Sequence, residues 1–199
     1  DTLQAYFEGR KELFEGLKIM DLETEWTKHP VIRLDMSRAG SSAHELNAYL
    51  NQAFKEYEQK YNIETSPSDS LPNRFDAIIQ SAYQQTGQQV VVLVEGYDSP
   101  LLNSWNTPHH EECVSIYLNV FTILKADDEY EEFVLITGTT KFTKLSLFSG
   151  LNNLSNISFE PEYAAICGIT KEELQNDFKP EIEKLADYEN WTFDEAVAQ

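Results

Sequence analysis

Cysteine is scarce in this sequence: Cys113 and Cys167 are the only two, and they lack CxxC spacing. That excludes a disulfide-stapled secreted scaffold and leaves reduced thiols in a cytoplasmic protein as the expectation. Basic residues are short as well. Lys and Arg number 15 against 34 Asp and Glu, a formal net charge of −19. Nucleic-acid binding draws on phosphate neutralisation by Lys and Arg, so direct contact with DNA or RNA is not expected, nor is docking on an anionic membrane. The longest uninterrupted aliphatic run is Val90–Val94, far below the ~20 apolar residues that span a bilayer. The opening DTLQAYFEGRKELFEG has no basic stretch followed by an apolar one, so it does not read as a secretory signal. Low-complexity tracts are missing, and 41% hydrophobic residues exclude a disordered chain.

What is present reads as strands alternating with helices. Leu3, Tyr6, Phe7 and then Leu13, Phe14, Leu17 recur at helical spacing, broken by Gly9 at a helix-ending position. Pro30–Ser37 predicts a strand. Ser41–Asn62 predicts a helix with Leu46, Leu50, Phe54 and Tyr57 on one face, and Asn73–Thr86 a second helix that stops at Gly87. Val90–Val94 is continuous and mostly β-branched, which predicts a strand buried on both faces, hence central and parallel. Glu111–Ala126 is helical, and Phe133–Ile136 predicts another buried strand. Further on, Ile157–Phe159 is a weak strand, and capping-box patterns at Thr170–Glu173 and Thr192–Glu195 open helices. The order implies an α/β fold with a parallel sheet. A helix announced at Thr192, so near Gln199, leads to the expectation that the chain is a piece of something longer.

In parallel α/β sheets, ligands sit outside the carboxyl ends of the strands. Those ends carry Asp35 and Ser37, Glu95 and Asp98, and Thr137. An aliphatic strand ending in acids is one way to hold Mg²⁺, a hard cation that prefers oxygen ligands, beside a nucleotide. Loop and cap roles for the same residues are the alternative. Asp35 lines a nucleotide crevice or caps its strand; Thr139-Thr140-Lys141 meets a γ-phosphate or forms a turn. The run His109-His110-Glu111-Glu112-Cys113 reads as a helix start, because consecutive residues cannot converge on one ion. Asp127-Asp128-Glu129 with Glu131-Glu132 reads as a solvated acidic turn. None of Arg10, Arg33, Arg38 and Arg74 can be given a role from sequence, and the three tryptophans read as packing residues.

Four stretches carry a resemblance: LQAYFEGRKELFEG at Leu3–Gly16, VVVLVEGYDSPLL at Val90–Leu102, FVLITGTTKFTKLSLFSGLNNL at Phe133–Leu154 and PEYAAICGITKEEL at Pro161–Leu174. They resemble the bacterial AAA-ATPase-like family, P-loop NTPase modules commonly followed by a PD-(D/E)XK nuclease-like domain. The resemblance implies a P-loop-NTPase-like parallel sheet over residues 1–166 and the start of a helical lid over 167–199. It also implies ATP and Mg²⁺ as cofactors of the complete module. Glu95 and Asp98 would be the catalytic and metal-holding acids of a Walker B strand, Thr137 a sensor, and Asp35, Thr137 and Lys141 nucleotide contacts.

Two departures stand out. The strand ends Glu95-Gly96-Tyr97-Asp98 where the family has Asp-Glu-Tyr-Asp, and Gly96 has no side chain to polarise a water. No Gly-Lys pair exists among the eight glycines, so GxxxxGK[ST] is absent. The first strand and P-loop of the family are therefore missing. The chain alone is expected neither to bind ATP tightly nor to hydrolyse it, and the strand at Phe133–Ile136 is expected to have an unpaired edge. Expected partners are a second copy or another strand along that edge, and a downstream nuclease-like domain in the parent. The alternative function is a non-hydrolysing interaction or regulatory scaffold.

Overall fold

The structure, a computed structural model, describes residues 1–66, 68–139, 153–166 and 168–198. Two compact units divide between Leu154 and Ser155. The reason is packing: Leu154 lies on the main core, and the polar Ser155-Asn156 pair after it does not.

The first unit opens with α1 (Thr2–Phe7), which Gly9 closes in a left-handed turn (φ +68°). The expected helical face of Leu13, Phe14 and Leu17 forms only a 3₁₀ turn at Lys11–Phe14 and the short α2 (Ile19–Leu22). Phe14 is buried with Ala5 and Trp26, whereas Leu13 and Leu17 stay exposed. Next come β1 (Val31–Asp35), α3 (Ala43–Lys60), α4 (Leu71–Thr86) and β2 (Val90–Glu95). Then follow α5 (Ser99–Ser104), α6 (His110–Phe121), α7 (Ile123–Ala126) and β3 (Glu131–Ile136). Ser42 closes a full capping box on α3, and Ser70 caps α4 with Pro72 in its first turn, so both helices start where side-chain oxygens satisfy orphan N–H groups.

The sheet has three parallel strands in the order β1-β2-β3, with Asp35 opposite Glu95 and Val94 opposite Ile136. One face buries Ile32, Leu34, Val92 and Val94 under α3, α4 and α6; there Phe54 and Phe75 stack at 5.2 Å. A buried, bidentate Arg74–Glu58 pair ties α4 to α3, with N–O distances of 2.6 and 2.9 Å. The other face is thinner: Val31, Val91 and Leu93 meet Leu3 and Phe7 of α1.

The two sheet edges differ. On β1 the outward main chain of Arg33 is closed by Tyr57, whose hydroxyl accepts from Arg33 N (2.7 Å) and donates to Arg33 O (3.1 Å). On β3 the alternation places the main-chain groups of Leu135 and Thr137 toward β2, because Thr137 N donates to Val94 O at 2.8 Å. Those of Val134 and Ile136 then face outward, where no second strand lies among the described residues. β3 is accordingly half-exposed rather than buried, with Phe133 stacked on Phe7 at 5.3 Å.

The acidic turn is not solvated throughout. Asp127 is buried, and among the described residues its Oδ2 has no hydrogen-bond partner, nor do the two carboxyl oxygens of Glu131. Gln80 bridges Asp76 (2.9 Å) and Asp127 (3.5 Å). Burial first, then the neighbouring Asp76, raises Asp127 to about 7; burial and Asp127 raise Glu131 to about 8. The folded state therefore holds protons that the unfolded chain releases near pH 4, and stability falls as pH rises from about 4 to 8. Asp127→Asn should be near-neutral at pH 4 and stabilising by about 1–2 kcal/mol at pH 8. Urea unfolding at the two pH values checks this; equal effects at both would refute it.

The second unit contains α8 (Lys171–Asp177), α9 (Lys179–Glu189) and α10 (Phe193–Val197), with complete capping boxes at Thr170 and Thr192. Ile182, Ala186 and Ala196 form its small core with Leu174, Phe193 and Val197. The strand expected at Ile157–Phe159 is a turn, because no neighbouring strand among the described residues supplies a ladder and Phe159 is 80% exposed.

Candidate functional site

The register brings Asp35 and Glu95 side by side at the carboxyl end of the sheet, and Thr137 continues the row just past β3. Period-two alternation puts Arg33 and Asp35 on the same face as Leu93 and Glu95. Arg33 Nη2 donates to Glu95 Oε2 at 2.8 Å, and Nη1 donates to Asp1 Oδ1 at 2.5 Å and Gln4 Oε1 at 3.4 Å. The Glu95 hydrogen bond, opposed by partial burial, pushes the Arg33 guanidinium above its ordinary range, so it stays charged. Asp35 turns back on its own loop and accepts from Ser37 N (3.2 Å) and Ser37 Oγ (2.5 Å), capping a 3₁₀ turn at Met36–Arg38. Thr137 is exposed, and its hydroxyl leans on Val94 O at 3.4 Å.

Asp98 occupies different surroundings. It is completely buried, and its carboxylate accepts from Thr139 N (3.0 Å) and Thr139 Oγ1 (3.0 Å), pinning the loop that leaves β3. Gly138 allows this: a Cβ there would stand 2.5 Å from Asp98 Oδ1 and 2.6 Å from the Tyr97 ring. Gly96 has φ +58°, and a Cβ on it would press Ser37 N and Ser99 Oγ at 3.2 Å. The absent side chain at 96 is thus also a backbone requirement of this turn.

Of the residues singled out by sequence, Asp35, Glu95 and Thr137 form one row. Asp98 lies behind it, and Lys141 falls outside the described residues. Arg33 is the residue that sequence reasoning missed. Its signal was an arginine inside an otherwise aliphatic strand, two positions from an acid. Among the described residues no group of three or more His, Cys, Asp or Glu could hold a metal ion. His110 instead starts α6 and contacts Ser104 Oγ at 3.1 Å, while Cys113 is buried. As arranged, Glu95 Oε2 is engaged by Arg33 and the Asp98 carboxylate by Thr139.

The profile described as predicted AAA-ATPase matches residues 1–148. The chain belongs to the AAA-ATPase-like family. Its parallel α/β sheet accords with the P-loop-like fold of that family. A similar protein, "Uncharacterized protein in vnfD 5'region" of Azotobacter chroococcum mcd 1, is 34% identical over 188 residues. That alignment covers 93% of this chain and 36% of the relative, so the chain spans about a third of that protein's length. No solved structure matches. Among the described residues no helix is long and apolar enough to cross a membrane.

For this family member, Gly138→Ala should cost about 1–3 kcal/mol, since the new methyl must displace the Asp98 carboxylate or the Tyr97 ring. Gly87→Ala, at positive φ but with nothing within 4 Å, separates backbone strain from crowding. Thermal unfolding of both variants is the check; a Gly138→Ala protein as stable as wild type would contradict the close approach at this turn.

Proposed function

We propose that this chain forms the strand-end part of an AAA-ATPase-like nucleotide-binding module whose parent couples ATP binding to conformational change. The observation that carries this reading is the row Asp35, Glu95 and Thr137 at the carboxyl ends of three parallel strands, within the family match. Open parallel sheets favour ligand binding at this end. In the same reading the open edge of β3 receives the P-loop strand of the parent, the neighbour that the family resemblance assigns to the sensor-bearing strand. A backbone N–H cradle and lysine would come with it; neither is encoded in the 199 residues. The chain by itself neither holds ATP tightly nor turns it over. Its own contribution is to fix the strand ends, with Asp98 anchoring the loop after β3 and the second unit serving as the start of a lid.

A second reading is favoured by Gly96. Where the family carries an acid, this chain has a left-handed glycine packed on Ser37 and Ser99, which suits a non-hydrolysing interaction scaffold. A longer protein carrying GxxxxGK[ST] ahead of Asp1 separates the two. Calorimetry with ATP and Mg²⁺ should detect binding there and none with this chain; absence of binding in the longer protein would overturn the nucleotide-binding reading, and binding without turnover favours the scaffold.

Hydrogen exchange tests the edge directly. In this chain the outward amides of Val134 and Ile136 should exchange orders of magnitude faster than those of Leu135 and Thr137. In the longer protein all four should be protected. Unchanged fast exchange at Val134 and Ile136 would rule out a strand docked there.

A further inference from the structure

At the carboxyl end of the sheet the Arg33 guanidinium stands among three carboxylates. Arg33 contacts Glu95 through Nη2 and Asp1 through Nη1, and Asp35 is the next same-face residue along β1. Asp35 and Glu95 are register partners on adjacent strands. Without Arg33 these like charges would repel across a short gap. The guanidinium is a planar fork that stays protonated at any working pH, so it supplies a permanent counter-charge. Its Nε is buried and has no hydrogen-bond partner among the described residues, so this part of the group is drawn in from water to reach the carboxylates. A divalent cation approaching Glu95 Oε2 would have to stand where Nη2 now stands, and the Asp98 carboxylate is already engaged by Thr139 N and Oγ1.

We propose that Arg33 takes the place of a divalent cation at Glu95, as a built-in counter-charge that leaves the strand end without a metal site of its own. This rests on the reading of Val90–Asp98 as a Walker-B-like strand end and changes what that end does: the acid is neutralised from β1. The same guanidinium also ties the start of α1 to the end of β2, since Asp1 and Gln4 share it with Glu95. The state of the acid and the position of α1 are therefore linked through one side chain. The bridge is partly open to solvent, with side-chain exposures of 31% for Arg33 and 40% for Glu95, so its removal need not unfold the protein.

Mn²⁺ alone is the probe, with free ion counted by electron paramagnetic resonance on the full chain. Wild type and Glu95→Gln should bind Mn²⁺ equally, because Glu95 is not available to it. Arg33→Gln should gain a site roughly tenfold or more tighter than wild type shows, and adding Glu95→Gln to it should abolish the gain. Arg33→Lys keeps the charge and should resemble wild type. Glu95-dependent Mn²⁺ binding by wild type would overturn the proposal, and so would a folded Arg33→Gln protein that gains nothing. Should Arg33→Gln fail to fold, the comparison of wild type with Glu95→Gln decides by itself. Failure of ATP binding in the longer protein would remove the nucleotide-binding reading and leave this comparison untouched, so the two failures are distinguishable.

Discussion

The main unit depends on one strand that has no polar outlet until its last residue. Val90 to Val94 are buried on both faces, so every main-chain donor and acceptor of β2 must be met by a neighbouring strand. Alternate residues turn to β1 and to β3, as the bonds Val91 N to Pro30 O and Thr137 N to Val94 O record. Parallel pairing then forces two crossovers, which α3–α4 and α5–α7 supply. Once the strands run the same way, their carboxyl ends coincide, and Asp35, Glu95 and Thr137 line up without any direct attraction among them.

From that strand outward the molecule is asymmetric. One face carries the large core, sealed by the Phe54–Phe75 stack and the Arg74–Glu58 pair; among the described residues the other carries α1. One edge is closed at Arg33 by the Tyr57 hydroxyl. The other edge offers Val134 and Ile136 with an exposed Phe133 beside them. Unpaired apolar edges invite a strand, and among the described residues only the β1 edge is closed, which directs that invitation to β3.

The charge of −19 is not spread evenly in effect. At the amino end of β3, Asp127 and the carboxyl oxygens of Glu131 are buried with no ion-pair partner among the described residues, and both acids respond by holding protons. At the carboxyl end, Glu95 meets Arg33 and remains an ion pair. Acids at the two ends of the same sheet thus take opposite solutions to burial, protonation in one case and a guanidinium in the other. Few arginines are available, and the two most enclosed, Arg33 and Arg74, each bridge separate elements.

Much of the fold was legible in order. The five aliphatics of β2, the capping boxes at Thr170 and Thr192, and the glycine stop at Gly87 all act through local physics, which a sequence states directly. The aliphatic Phe133–Ile136 read as buried because composition records hydrophobicity and not how many neighbours a strand has. The acidic turn read as solvated for the same reason: Asp127 is enclosed by α4 and β3, which arrive from separate parts of the chain. The acids at strand ends could be named from sequence, yet their states could not. That Glu95 would meet Arg33, and that Asp98 would be shut behind Thr139, follows from register and from a close approach at Gly138. Sequence alone determined the three strands, the longer helices and the acids that end the strands, because those depend on near neighbours. Tertiary structure decided which carboxylates are paired, protonated or enclosed, because charge in a protein is settled by contacts that the chain makes across long separations.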